Sequence, residues 1–93
     1  MTYDIRHNEE ESRFETTVDG SVAYAAYDIE EPRTIVFTHT IVPDQLSGRG
    51  IANQLVKHAL EDARSRKLTV KPQCAFVAAY IKKHPEYGDL VNG

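Results

Sequence analysis

The chain has 93 residues, with 11 Lys and Arg against 14 Asp and Glu, giving a net charge of −3. That length suits one small domain, 1–93, of thin stability. No long basic run points to nucleic acid, and no apolar stretch reaches the length of a membrane span. Residues 1–6 lack the apolar stretch of a secretory signal, and Cys74 is the only cysteine, so no disulfide forms within the chain. Together these features predict a cytoplasmic protein, with Cys74 either a small buried hydrophobe or a working thiol; a monomer or weak dimer is the expectation for its assembly.

The first half reads as strands. Residues 4–8 form a short one, and the acidic Glu9-Glu10-Glu11 that follows reads as a solvated turn. Residues 13–18 place Phe14, Thr16 and Val18 on one face and Glu15 and Thr17 on the other. Asp19-Gly20 is a dipeptide of tight hairpins, because both positions tolerate positive φ. Residues 21–28 return with Val22, Ala23, Tyr24, Ala25, Ala26 and Tyr27 apolar on both faces, as in the middle of a sheet. Glu30-Glu31-Pro32-Arg33 turns the chain. Residues 34–42 give the strongest strand, with Ile35, Phe37, His39 and Ile41 alternating with Val36, Thr38, Thr40 and Val42.

The pattern changes at Pro43. A loop through Gly48 and Gly50 leads into a helix over 50–66, with Ile51, Ala52, Leu55, Val56, Ala59, Leu60 and Ala63 on one side. Residues 68–71 make a short strand stopped by Pro72. A second helix covers 75–84, with Phe76, Val77, Tyr80 and Ile81 as its buried stripe, and Pro85 ends it. The tail, 86–93, docks through Tyr87, Leu90 and Val91. The order of elements predicts an α+β fold with a mostly antiparallel sheet.

Gln45-x-x-Gly48-x-Gly50 between a strand and a helix is a turn able to hold a pyrophosphate. Glycines let the backbone approach the anion, and the N–H groups and dipole of the following helix attract it. The dinucleotide fingerprint needs a third glycine, and a P-loop needs a Gly-Lys-Ser/Thr run that is absent.

Residues 42–52, Val-Pro-Asp-Gln-Leu-Ser-Gly-Arg-Gly-Ile-Ala, resemble the acyl-CoA-binding motif Q/R-x-x-G-x-G/A of the GCN5-related N-acetyltransferases at each specified position. His39-Thr40-Ile41-Val42-Pro43 before the turn adds to the likeness. So do Pro72-Gln73-Cys74-Ala75-Phe76 and Tyr80-Ile81-Lys82-Lys83-His84-Pro85-Glu86-Tyr87 after it. The chain is thus similar, over 36–91, to the small single-domain (GNAT-like) members of that superfamily.

The resemblance implies a mostly antiparallel sheet with a central helix after the glycine turn and a C-terminal helix. It implies acetyl-CoA as co-substrate, no metal, and an amine or thiol acceptor, a protein amine among the candidates. Carried over, the backbone of Ile41 and Val42 pairs with the pantetheine arm like an added strand. The N–H groups of Gln45, Leu46, Ser47, Gly48, Arg49, Gly50 and Ile51, with Ala52 just beyond, hold the pyrophosphate, and the Arg49 side chain reaches a phosphate. Two departures stand out. Ile41 replaces the acidic residue usual in the small family, and the amino-terminal helices of larger members are missing. A non-catalytic acyl-CoA-binding module is therefore the alternative to an enzyme, with a ligand-free interaction domain behind it.

Cys74, at the start of the last helix, is placed where the dipole favours a thiolate, and the resemblance makes it a catalytic candidate. His39, on the face of Phe37 and Ile41, is the candidate general base, against a plain hydrogen-bonded histidine. His84 reads as a helix cap and, second, as a coenzyme contact. Tyr80 reads as core, with protonation of a leaving thiolate as its functional alternative. His58 reads as solvated and His7 gives no signal. No spacing among Cys74 and the four histidines suggests a metal site.

Overall fold

The computed structural model describes residues 3–30 and 32–92; Met1, Thr2, Glu31 of the expected turn, and Gly93 lie outside the described residues. The strands are β1 (Arg6–Asn8), β2 (Arg13–Val18), β3 (Ser21–Glu30), β4 (Thr34–Ile41) and β5 (Thr69–Pro72). The helices are α1 (Ile51–Ser65), α2 (Ala75–Lys83) and α3 (Gly88–Asn92). One sheet runs in the order β1-β2-β3-β4-β5. Every pairing is antiparallel except β4 with β5, which is parallel and therefore needs the crossover that α1 supplies.

Asp19 and Gly20 take φ of 51° and 78°, the pair of positive values that the tight hairpin between β2 and β3 demands. β3, apolar on both faces over residues 22–27, is the middle strand. Phe14, Ala23, Ala25, Tyr27, Ile35, Phe37 and Val70 meet Ile51, Leu55, Val56, Ala59, Leu60 and Ala63 of α1 in a single buried cluster. Burial of this order contributes about 25 cal/mol per Å² of apolar surface removed from water, and it makes α1 stable where the isolated segment would be marginal. Among buried side chains Thr16 is polar, and its hydroxyl donates to the Asp4 carbonyl at 2.9 Å.

Two expectations are corrected. Phe76 is 39% exposed and outside the buried stripe of α2, which consists of Val77, Tyr80 and Ile81. In the tail Tyr87 and Leu90 are buried, but Val91 remains exposed. No helix among the described residues is long and apolar enough to cross a membrane.

Candidate active site

The glycine turn begins with a short 3-10 turn, Asp44–Leu46, that pushes Leu46 into the core at 1% exposure. Gly48 and Gly50 then adopt φ of 78° and 74°, the left-handed region that any side chain enters only with strain. An added Cβ at either position would meet nothing within 4 Å, so the protein leaves the space before the turn open. Gly50 is the N-cap of α1, and no side chain caps the helix. The first intrahelical bond runs from the Gln54 N–H to the Gly50 carbonyl at 3.2 Å. The N–H groups of Ile51, Ala52 and Asn53 thus lack helical partners and face the open space at the positive end of the dipole.

Not every amide expected here is free. The N–H of Leu46 is bonded to the Pro43 carbonyl at 2.8 Å, and that of Ser47 to the Asp44 carbonyl at 3.1 Å. Of the amides expected at the turn, those of Leu46 and Ser47 are thus already engaged within it. The Gln45 side chain donates from Nε2 to the Ser21 hydroxyl at 2.6 Å, and the Arg49 side chain pairs with Asp19 at 2.9 Å. Both contacts tie the turn to the β2–β3 hairpin. Tyr3 adds a third tie, its hydroxyl donating to the Arg49 carbonyl at 3.0 Å.

Beside the turn, β4 and β5 part company. They pair only from Thr34 with Thr69 to Phe37 with Pro72. The Cys74 N–H then bonds to the Phe37 carbonyl at 2.8 Å, and β5 gives way to α2. From Thr38 to Ile41 the edge of β4 away from β3 has no strand beside it among the described residues.

A bulge in the same stretch decides which side chains enter this mouth. Tyr27 pairs with Phe37 and Ala26 with His39, leaving Thr38 as the extra residue on β4. The alternation therefore flips. His39 does not share a face with Phe37 as a regular strand requires; it is exposed, on the side of Ile41, which is 45% exposed. Thr40 turns inward instead, and its hydroxyl lies 3.4 Å from Cys74 Sγ. Sequence reasoning missed Thr40, because a Thr-His-Thr run carries no sign of where a bulge falls.

Cys74 is the half-buried N-cap of α2. Burial pushes its thiol up. The Thr40 hydroxyl and the backbone N–H groups of Val77, Phe76 and Thr40 outweigh that and bring it below a free thiol's ordinary value.

His39 and Cys74 are thus not brought together. His84 stacks on Tyr80 with ring centroids 4.2 Å apart, and its Nδ1 lies 3.9 Å from Glu86. Tyr80 is buried, and burial, then Glu86 and Glu61, hold its phenol above the usual range. His58 is exposed with its ring edge-on to Phe14 at 5.8 Å. His7 lies in a network at the far end of α1, away from the glycine turn. A depression of about 500 Å³ lies between Tyr3, Ile5 and the outer face of α1. Its lining includes neither Cys74 nor residues 48–53. No group of three His, Cys, Asp or Glu among the described residues could hold a metal ion.

Residues 13–90 match the family described as GCN5-related N-acetyl-transferase. Protein NATD1 of Homo sapiens is 30% identical over 83 residues, covering 87% of this chain and 74% of its own length. Protein NATD1 of Xenopus tropicalis is 29% identical over 83 residues, covering 87% of this chain and 76% of its own. A GCN5-like protein from Staphylococcus aureus, solved in solution by NMR, is similar with a TM-score of 0.75 at 28% identity, over 95% of this chain and 86% of that one. The matched span takes in β2 through α2, and with it the turn and Cys74; the chain belongs to the GCN5-related N-acetyltransferase family.

Proposed function

We propose that the chain is an acyltransferase that binds acetyl-CoA and passes the acetyl group to an amine or thiol acceptor through Cys74. The observation that carries this reading is the convergence of unpaired amides on an open space beside a stabilised thiol. The N–H groups from Gly48 to Asn53 would hold the pyrophosphate, since they supply donors and positive potential without a competing side chain. The unpaired edge of β4, through the backbone of Ile41 and Val42, would accept the pantetheine arm as an added strand. Acetyl-CoA supplies an activated thioester.

Cys74 Sγ, as thiolate, attacks the acetyl carbonyl; a bond to Sγ forms, the bond to the CoA sulfur breaks, and CoA departs to take up a proton from solvent. An acceptor amine then attacks the acetylated Cys74, loses a proton to water, and restores the thiolate. The amides of Thr40, Phe76 and Val77 hold negative charge at Sγ in both steps. His39, on the opposite side of β4, is not required for the first step and remains available to an acceptor arriving over the exposed face. The site being open, a bulky acceptor such as a protein terminus or lysine suits it.

Ile41 favours a second reading, a non-catalytic acyl-CoA-binding module, because an exposed apolar side chain stands where a carboxylate base would. Titration of the protein with acetyl-CoA, followed by intact-mass measurement, separates the two. Binding with a gain of about 42 Da on wild type and none on Cys74→Ser supports the enzyme. Binding without any adduct or CoA release, alone or with peptide amines, supports the module, and absence of binding overturns both.

A further inference from the structure

α2 has two chemically different ends. Cys74 opens it; Lys82 and Lys83 occupy its last turn and His84 closes it. At 1.5 Å per residue the nine residues between place these ends about 13 Å apart. Along one side of the helix Phe76, Tyr80, Lys83 and His84 line a cavity of about 140 Å³, whose opposite wall is Asn53 of α1. Asn53 stands three residues beyond Gly50, about 4.5 Å of helical rise, and it carries one of the free amides. The cavity therefore shares Asn53 with the run of free amides at the start of α1. Phe76 gives it an exposed aromatic wall toward the thiol end, and Lys83 gives it a cation at the other.

That cation lacks compensation. Arg13, Arg49, Arg64, Arg66 and Lys71 each pair with a carboxylate. Neither Lys82 nor Lys83 has an ion-pair partner among the described residues, and of the two only Lys83 lines the cavity. In coenzyme A the diphosphate separates the pantetheine from a ribose that carries a 3′-phosphate. With the diphosphate at the α1 amides and the thioester at Cys74, the ribose leaves in the opposite direction, toward the Lys83 end of α2.

We propose that Lys83, with His84 beside it, binds the ribose 3′-phosphate and makes the site selective for coenzyme A over 3′-dephospho-coenzyme A. This deepens the acetyl-CoA reading and rests on it. A dianionic phosphate gains a charge-assisted contact from Lys83, and that contact weakens with salt because the lysine is exposed.

The test is calorimetric titration of wild type, Lys83→Gln and Lys82→Gln with coenzyme A and with 3′-dephospho-coenzyme A at low and high salt. Wild type should prefer coenzyme A by about tenfold at low salt, and less at high salt. Lys83→Gln should bind the two alike, with the dephospho form held as wild type holds it, while Lys82→Gln keeps the preference. Equal affinities in wild type, or a preference that survives Lys83→Gln, overturns the assignment and leaves the acetyl-CoA reading intact. Failure of wild type to bind either compound overturns both.

Discussion

The two ends of the sheet are built on opposite rules. At the end where β1 and β2 meet the last turn of α1, polar groups are matched. His7 Nε2 lies 2.6 Å from the Tyr27 hydroxyl, and its Nδ1 lies 3.0 Å from Arg66 Nη2. Arg66 also pairs with Asp62 at 3.0 Å, and the His7 ring stacks on Phe14 with centroids 4.2 Å apart. At the other end β4 parts from β5, α1 begins uncapped, and the lone thiol faces backbone donors. Unpaired backbone groups are costly when buried and useful when they await a ligand. The matched end holds the fold together, and the unmatched end leaves backbone donors open at the proposed acetyl-CoA site.

The largest expected break of that contrast lies in the matched end. Phe14 is fully buried among His7, Tyr27 and His58. Phe14→Ala should lower stability by about 3–5 kcal/mol through lost burial and the cavity left behind. A chain this small has little reserve, so much of the variant would unfold at 37 °C or below. Urea unfolding at low temperature measures the loss, and acetyl-CoA affinity of the folded fraction should match wild type. A comparable loss of affinity would mean that the two ends are coupled.

The matched end was the more legible in sequence. Apolar periodicity gave α1 its six buried positions, and the Asp19-Gly20 pair gave the hairpin. Composition placed β3 at the middle because alanine and tyrosine fill both its faces. The motif likewise located the glycine turn. The rest turns on tertiary detail that no periodicity encodes. The bulge at Thr38 reverses the faces of His39 and Thr40, and so hides the partner of Cys74. Phe76 reads as core at helical spacing, but Asn53 of α1 faces it across a cavity. His7 carries no local signal because its partners are 20 and 59 residues away.

A smaller effect on folding, with a larger one on ligand, is expected at Gly50. Gly50→Val puts a β-branched residue at φ 74°, costing about 1–2 kcal/mol of stability. Its side chain projects into the space before the amides, so acetyl-CoA affinity should fall by about tenfold or more. Calorimetry on the folded variant checks this. Unchanged affinity would remove the turn from the site.

The network at His7 predicts a pH dependence. Arg66 can only donate, so His7 Nδ1 accepts and Nε2 carries the proton toward Tyr27. Burial, then the Arg66 guanidinium, with a smaller push from His58, hold His7 below its ordinary value against the opposing pull of Asp62 and Glu9. The unfolded chain therefore binds a proton at higher pH than the folded one. The stabilisation is complete above about pH 6.5 and declines as the pH falls through the lower folded value. Urea midpoints at about pH 7.5 and 5.5 should differ in wild type, and less in His7→Gln, which cannot titrate. Equal slopes would release His7 from this role.

The smallest effect on stability and the sharpest on chemistry is expected at Thr40. Thr40→Val keeps the branched shape on a half-buried strand position but removes the hydroxyl 3.4 Å from Cys74 Sγ. Folding should change by no more than about 1 kcal/mol, since one weak hydrogen bond to sulfur is lost and a methyl gained. The thiol should respond more clearly. Among the groups that lower its pKa the Thr40 hydroxyl is the strongest, ahead of the amides of Val77, Phe76 and Thr40, while burial acts against all of them. Without the hydroxyl the balance moves toward burial, and the thiolate forms at higher pH. Alkylation by iodoacetamide followed against pH should show the midpoint of Thr40→Val displaced upward from wild type, and saturating CoA should protect the thiol in both. An unshifted midpoint would mean that the backbone amides alone set the reactivity of Cys74. A thiol that reacts only in unfolded protein would remove Cys74 from the chemistry and return it to the core.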